Sequence, residues 1–330
     1  MENTAQSLLA HRVTFTCQTT TPLALPLFPG PAVRGALVNA LRLQICAPLH
    51  GAGMRGGQAK VQDCPVCAFI APVDDQAQRG RDIVRLFTVE PPLDVGGAHP
   101  SGWSFSFGLT LFGPAVTLYP HLTVATQNMG LIGFGQRGQA AGRFNVLECW
   151  ADDPFSGRRE RIMEAHSATL AEPSLPISSE IICRRASVLA GRYGGSAGQQ
   201  QLTVRFLTPT RLIADKRLTK SPAFDVLVRR LVRRLSDLAE ATSTEAPSLD
   251  VPRLLLLSEA IQIADDRTRW MDLMSHSGRT GRSTPIGGLV GDVTYQGDLL
   301  PFLPLLLWSE VTHVGKDTTK GNGLCRILPA

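Results

Sequence analysis

The spacing of hydrophobic residues in the first half of the chain changes between a period of two and a period of about four. Val13, Phe15 and Cys17 alternate with polar residues, which predicts a half-buried strand. A helix is predicted next, because Pro31 suits its first turn and four apolar residues follow at intervals of four: Val33, Leu37, Leu41 and Ile45. The later pattern predicts strands at "DIVRLFTVEPP" and "WSFSFGLTLFG", a helix from Pro114 to Asn128 and a strand at "GRFNVLECW". This order of elements is that of a ferredoxin-like unit.

The second half of the chain repeats the same order. Strands are predicted at "QLTVRFLTPTRLI", "RLLLLSEAIQIAD" and "GGLVGDVTYQG", and a short final strand at "GLCRILP". Helices are predicted at "AFDVLVRRLVRRLSDLAEA" and "DLLPFLPLLLWSEV". We therefore expect an α+β protein with tandem ferredoxin-like domains. The first would span 1–152 with a cysteine-bearing loop at 46–82, and a connector at 153–200 would lead to a second at 201–330 with a glycine-rich loop at 313–323.

The glycine-rich loop reads "HVGKDTTKGNG". Glycine loses more conformational entropy on folding than other residues, so this cluster predicts that something approaches the backbone closely. The spacing does not fit a phosphate-binding P-loop, because Glu310 stands in place of its first glycine and Asp317 in place of serine or threonine. The loop still has groups able to contact phosphates. The alternative is a tight connection between two elements that merely needs glycine. These groups are Gly315, Lys316, Thr318, Thr319, Lys320, Gly321 and Gly323.

Four arginines lie on the amphipathic helix of the second half. They are Arg229, Arg230, Arg233 and Arg234, and no acidic residue follows them before Asp237. The leucines of the helix predict its buried side, so the arginines would form a positive stripe on the other face. Nucleic-acid backbones attract such a stripe, whereas an ordinary solvated helix face is the alternative.

The composition of the chain favours a globular protein of the cytoplasm. Among its 330 residues 43% are hydrophobic, which is enough for a buried core. The N-terminus has no pattern of a secretion signal, and the apolar run from Leu299 to Trp308 is too short to cross a bilayer. Seven irregularly spaced cysteines do not form a disulfide framework, and a net charge of +5 favours a polyanionic partner.

Three cysteines follow the first predicted helix. Cys46, Cys64 and Cys67 include one C-x-x-C pair, and His50 lies in the same loop. These four residues can supply the tetrahedral ligands of a structural zinc ion. A group of ordinary reduced cysteines is the alternative.

Histidine is the side chain best suited to transfer protons near neutral pH. Of the seven histidines, three lie in polar or glycine-rich segments, namely His50, His276 and His313. The order of residues shows no Ser/His/Asp arrangement, no HExxH pair and no acidic cluster suited to magnesium. A G-x-G-x-x-G match from Gly133 to Gly138 precedes a predicted turn and strand instead of a helix, which argues against dinucleotide binding.

The glycine loop resembles the C-terminal signature of the RAMP-superfamily endoribonucleases that process precursor CRISPR RNA. That signature is a glycine, five residues, and two glycines separated by one residue, and Gly315, Gly321 and Gly323 match it. Other stretches resembling the family are "FPGPAVRGAL" with Arg34, "GRFNVLE", "LTVRFLTPTRL", "SGR" ending at Arg279, and "GGLVGDVTYQGDLLPFLPLLL". Together they span most of the chain, and the C-terminal third resembles the family most specifically.

The resemblance implies tandem ferredoxin-like domains with RNA bound in a basic cleft between them. It also implies a cut within each CRISPR repeat that uses no metal and no other catalytic cofactor. The 2′-hydroxyl attacks the adjacent phosphate, which requires a base, an acid and a cation. A histidine near the first helix is frequent in the family and indicates His50. If zinc binds His50, the pair of His313 and Lys316 is the next candidate, and His276 is the third.

The partners implied by the resemblance are the repeat RNA of a CRISPR precursor transcript and a CRISPR effector complex, with no membrane involved. Two other functions stay as alternatives. The chain can be a non-catalytic RAMP subunit that coats guide RNA in an effector complex. It can also be a zinc-stabilised RNA-binding protein unrelated to CRISPR.

Overall fold

The computed structural model describes residues 7–46, 64–70, 84–136, 138–165, 169–192, 200–276 and 281–329. The chain divides into two compact units. The N-terminal unit is Ala10–Pro176, and the C-terminal unit combines Met1–Leu9 with Ile177–Ala330. Within the described ranges, no helix has both the length and the apolar composition needed to span a membrane.

The N-terminal unit is built on an antiparallel sheet of five strands. Its strands are β1 (Ala10–Thr19), β2 (Leu23–Leu25), β3 (Phe87–Glu90), β4 (Gly97–His99), β5 (Ser104–Phe112), β6 (Phe144–Asp152) and β7 (Arg159–Glu164). The main sheet has the order β3-β5-β1-β6-β7, and β2 pairs separately with β4. The helices are α1 (Gly30–Leu41), which continues into a π-helical turn (Arg42–Cys46), α2 (Pro65–Ile70), and α3 (Tyr119–Ile132), which follows a 3-10 turn (Gly113–Leu118).

The predicted ferredoxin-like order of this unit is confirmed. The core side of β1 carries Phe15, which is opposite Phe107 on β5 and Cys149 on β6. The rings of Phe15 and Phe107 stack with centroids 5.2 Å apart. Val33 and Leu37 on α1 are fully buried in the same core, as their spacing predicted.

The C-terminal unit repeats this architecture around a second antiparallel sheet. Its helices are α4 (Ser179–Ala190), α5 (Phe224–Thr242), α6 (Val251–Ser258) and α7 (Leu303–Thr312), with 3-10 turns at Leu300–Phe302 and Thr318–Lys320. Its strands are β8 (Gln200–Thr210), β9 (Leu212–Ala214), β10 (Arg217–Thr219), β11 (Gln262–Asp266), β12 (Arg269–Met271), β13 (Met274–His276), β14 (Ser283–Pro285), β15 (Gly288–Gly297) and β16 (Cys325–Pro329). The main sheet has the order β11-β15-β8-β16.

One strand prediction is wrong over most of its length. The stretch "RLLLLSEAIQIAD" forms the end of α6 and only then β11. The Asp250 carboxylate accepts a hydrogen bond from the backbone N–H of Arg253 at 3.2 Å, and Pro252 occupies the first turn. Both features favour a helix start. A run of four leucines alone does not distinguish a strand from a short buried helix.

The segment 153–200, expected to be a connector, contains regular structure. Its first part forms β7, which extends the N-terminal sheet beside β6. Its second part forms α4, which begins after Ser178, and the Ser178 hydroxyl accepts a hydrogen bond from the N–H of Ile181 at 3.4 Å. Polar residues such as Ser178 are typical both of loops and of helix N-caps, so composition alone does not separate the two. The division between the compact units falls within this segment.

Candidate functional site

The glycine-rich segment 313–323 forms a folded connection between α7 and β16. One backbone hydrogen bond closes the loop on itself, and two others hold it against the end of β8 and the residue that follows this strand. Val314 donates to the carbonyl of Gly323 at 3.0 Å, and Gly323 donates to Pro209 at 3.2 Å. Lys316 donates to the carbonyl of Arg211 at 3.3 Å. The loop is therefore part of the packed C-terminal unit.

Two positions in this loop require glycine for a steric reason. Gly315 and Gly323 have φ of +85° and +77°, which side-chain-bearing residues rarely adopt. A Cβ on Gly315 would lie 2.3 Å from the carbonyl oxygen of Arg211, and one on Gly323 would lie 2.0 Å from that of Val314. The glycine content predicted that another group lies close to the backbone of this loop. At these two positions that group is the protein's own backbone.

Asn322 fastens the loop to the sheet, and our sequence reasoning overlooked it. Its fully buried side-chain amide donates to the carbonyl of Pro209 at 2.9 Å and to that of Ile286 at 2.8 Å. One side chain therefore satisfies two carbonyls that come from different segments. A side-chain amide between two glycines was the available signal, because an amide offers two donors.

The charged residues of the loop differ in exposure. Lys320 forms an ion pair with Asp317 at 2.8 Å, and Asp317 lies 3.7 Å from Arg211. The side chains of Thr318 and Thr319 are buried, whereas Lys316 is exposed. Of the loop residues predicted to contact phosphates, Lys316 is therefore the one best placed to meet a ligand from solvent.

His313 lies in the interior of the C-terminal unit. Its side chain is fully buried, and Nδ1 is 3.1 Å from the carbonyl oxygen of Asn322. An imidazole in this position stabilises the loop and has no access to an RNA phosphate while the loop keeps its fold. The placement favours a structural contribution of His313 over proton transfer.

Of the two remaining histidine candidates, the structure describes His276 and not His50. His276 is exposed on β13, and its Nδ1 is 3.2 Å from the hydroxyl of Ser283 on the paired strand β14. His50 and Arg279 lie outside the described residues. Arg34 is half-buried on α1. The assignment of His50 therefore still rests on the sequence.

Two of the four arginines on α5 are exposed and paired with acids. Arg229 contacts Asp225 at 3.0 Å and Glu259 at 3.6 Å, and Arg233 contacts Asp237 at 2.8 Å. Asp225 lies one turn before Arg229, so a count of the acids that follow the arginines does not include it. These pairs reduce the positive field expected along the helix, although both guanidinium groups remain about half exposed.

The other two arginines on α5 lie closer to the interior. Arg234 is partly buried and donates from Nε to the carbonyl oxygen of Thr312 at 3.3 Å, at the C-terminus of α7. A cation there complements the helix dipole. Burial lowers the pKa of Arg234 to about 10, against an opposing effect of Asp237, so the group stays protonated at neutral pH. Arg230 is half-buried. The predicted stripe is thus reduced to Arg229 and Arg233.

The three cysteines after α1 come together in the N-terminal unit. Cys46 ends the π-helical turn, Cys64 precedes α2 and Cys67 lies in α2. The Cys46 sulfur is 3.7 Å from that of Cys64 and 3.5 Å from that of Cys67, and all three sulfurs lie within 4.8 Å of one another. Burial raises the pKa of Cys46 to about 12, so without a nearby cation this thiol stays protonated.

Two family models match the chain. A model described as the AF_1859_N N-terminal domain matches residues 8–175, which is half of the chain, and a model of the CRISPR-associated endoribonuclease Cas6 matches residues 204–324. The second match contains α5 and the whole glycine-rich loop. No curated protein matches the sequence.

Solved structures with the same fold match nearly the whole chain. A Cas6 (TTHB231) product complex is 18% identical, with 97% of this chain and 100% of that chain covered and a TM-score of 0.53. Thermus thermophilus Cas6 (TTHB231) is 17% identical over 98% and 99% of the two chains, with a TM-score of 0.52. A partial Cas6-RT-Cas1–Cas2 complex is 12% identical over 98% of this chain and 47% of that chain, with a TM-score of 0.62. The tandem ferredoxin-like fold expected from the sequence is confirmed.

Proposed function

We propose that this chain, which belongs to the Cas6 family of CRISPR-associated endoribonucleases, cuts its own CRISPR repeat within the precursor transcript by attack of a ribose 2′-hydroxyl. The observation that carries the proposal is the match of the endoribonuclease model across residues 204–324, on a chain whose two units both have the ferredoxin-like fold. The cut releases guide RNAs. Recognition of one repeat sequence distinguishes this enzyme from a general ribonuclease.

The proposed reaction breaks one phosphodiester bond and consumes no water. A base removes the proton from the 2′-hydroxyl, and the resulting oxygen attacks the adjacent phosphorus. The bond to the 5′-oxygen breaks, and an acid protonates that oxygen as it leaves. The products are a 2′,3′-cyclic phosphate and a 5′-hydroxyl. Side chains alone can provide the acid, the base and the stabilising charge, so the reaction needs no metal.

Within this proposal His50 transfers a proton and Lys316 stabilises charge on RNA phosphates. Lys316 is the exposed cation of the glycine-rich loop, and the folded backbone of the loop fixes its position. His313 supports that backbone from the interior. An ion bound by the cysteine cluster would act on the stability of the N-terminal unit and take no part in the cut.

The proposed partners are the repeat RNA and other CRISPR proteins. One structure with this fold is a Cas6 product complex, which supports binding of the product of the cut by this chain. Another is a complex of Cas6-RT-Cas1 with Cas2, which supports association with further CRISPR components.

Removing an RNA-contacting charge should reduce the salt dependence of binding. We expect Arg233→Gln and Lys316→Gln each to weaken repeat RNA binding and to lower the slope of log K against log salt by about 1, because each removes one phosphate contact. Fluorescence anisotropy at several salt concentrations measures this slope. Arg184→Gln is the matched control, since Arg184 on α4 is also exposed and also paired with an acid one turn away. An unchanged slope for Arg233→Gln would make α5 an ordinary solvated helix face.

The decisive assay for the proposed function uses the purified chain and its own repeat RNA in the presence of a chelator. We expect one specific cut, a cyclic phosphate on the upstream product, and no cut in RNA with a 2′-deoxy nucleotide at that position. The deoxy substrate lacks the nucleophile, whereas its binding should be nearly unchanged. Cleavage of the deoxy substrate would refute the proposed chemistry. Tight binding without any cut would instead indicate a subunit that only coats guide RNA.

A further inference from the structure

The three sulfurs of the cysteine cluster have the spacing of ligands around one metal ion. In a tetrahedral site with zinc–sulfur distances of about 2.3 Å, neighbouring sulfurs lie about 3.8 Å apart. The distances of 3.7 Å from Cys46 to Cys64 and 3.5 Å from Cys46 to Cys67 are close to that edge length. We propose that Cys46, Cys64 and Cys67 bind a structural zinc ion through their thiolates.

A disulfide accounts for this arrangement less well than a metal ion. Bonded sulfurs lie about 2.05 Å apart, far below the separations in this cluster, and a disulfide would join only two of the three cysteines. Hydrogen bonds between thiols are weak, so they do not by themselves explain why three sulfurs from two separate parts of the chain converge.

The contacts around the cluster define a place for the ion. Cys46 is brought in by the π-helical turn that continues α1, while Cys64 and Cys67 are spaced so that α2 presents both to the same point. Cys46 and Cys64 are buried and Cys67 is half-buried. A thiolate set of this kind, largely shielded from water, is typical of structural zinc and unsuited to magnesium or calcium, which prefer oxygen ligands.

The ion would stabilise a helix that is too short to be stable alone. The six residues of α2 are far below the length at which isolated helices persist. Its apolar contacts include Phe69, whose ring stacks on Phe87 of β3 at 4.5 Å. Zinc would add a second attachment, from α2 to the end of α1, and would close the 17 residues that separate Cys46 from Cys64 in the sequence into a loop. Because the unfolded chain does not hold such a site preformed, the free energy of zinc binding would add to the stability of this part of the fold.

Metal content tests the proposal directly and independently of RNA cutting. We expect the full chain, purified without chelators, to contain about one zinc per chain by elemental analysis, since the cluster forms one site. Cys46→Ser and Cys67→Ser should reduce that content at least tenfold. Cys183→Ser is the control, because Cys183 is exposed on α4 and far in sequence from the cluster, and it should keep the wild-type content.

A second measurement covers the case in which the cysteine variants do not fold. Native mass spectrometry of the wild-type chain should show the mass of one bound zinc, which a thiol-specific mercurial should release. Cobalt bound in place of zinc should give the intense thiolate charge-transfer absorption of three sulfur ligands. A wild-type chain that stays well below one zinc after incubation with zinc sulfate would refute the proposal, as would an undiminished zinc content in Cys46→Ser. Neither result depends on whether the chain cuts RNA.

Discussion

His50→Ala is expected to slow cutting of the repeat RNA by a factor of about 10² to 10⁴, the usual contribution of a positioned proton-transfer group. The substitution removes a proton-transfer group and leaves the phosphate-contacting cations in place, so RNA affinity should change little. Single-turnover rates with excess enzyme separate the cleavage step from product release. Anisotropy titration of the same variant then checks that the loss is in the chemistry and not in binding.

The control for this variant is His121→Ala, which removes an exposed histidine on α3 and should cut at the wild-type rate. Zinc content should also be measured, because a loss of zinc in this variant would identify His50 as a metal ligand. A wild-type rate in His50→Ala would contradict the assignment. The exposed His276 would then be the next candidate to replace, ahead of the buried His313.

Gly323→Ala should destabilise the C-terminal unit by about 3 kcal/mol or more. A left-handed backbone costs an alanine about 1–2 kcal/mol, and loss of the hydrogen bond from Val314 to Gly323 adds about 1 kcal/mol. The added Cβ would also lie 2.0 Å from the Val314 carbonyl oxygen, so the loop backbone must shift. A loss of this size lowers Tm by about 6–12 °C in a domain of this length, which differential scanning calorimetry resolves.

Gly281→Ala is the matched control for this steric argument. Gly281 is in the same unit and also has a positive φ, of +67°, but an added Cβ would meet no atom within 4 Å. Its substitution should therefore lower the free energy of unfolding only by the cost of a left-handed backbone, about 1–2 kcal/mol. Equal losses of Tm in the two variants would show that packing of the loop against Val314 is not what requires glycine at position 323.

The order of strands and helices could be predicted from the sequence because the local spacing of apolar residues matches the faces that the strands and helices bury. Alternation along β1 and the four-residue stripe on α1 both follow from which face meets the core. The failures lie where that periodicity is short or absent. The four leucines in α6 span little more than one helical turn. The main sequence signal for α4 is the N-cap residue Ser178.

The candidate site was harder to predict because its geometry depends on contacts between distant segments. Glycine content predicted a close approach in the loop, yet nothing local identifies Arg211, about a hundred residues earlier, as the group that approaches Gly315. The contact of Arg234 with the end of α7 is equally non-local. By contrast, the proximity of Cys64 and Cys67 followed from their C-x-x-C spacing, whereas Cys46 reaches them through the π-helical turn at the end of α1.

The edge strand β11 has a consequence for how this protein behaves at high concentration. All five of its residues are exposed, and among the residues that the structure describes it pairs on one side only, with β15. Its pairing register shifts between Ile263 and Asp265, and it ends in the adjacent carboxylates Asp265 and Asp266. An irregular edge that ends in charged side chains is a poor template for strands of other molecules. The exposed edge at β11 is therefore protected against sheet extension and the aggregation that would follow from it.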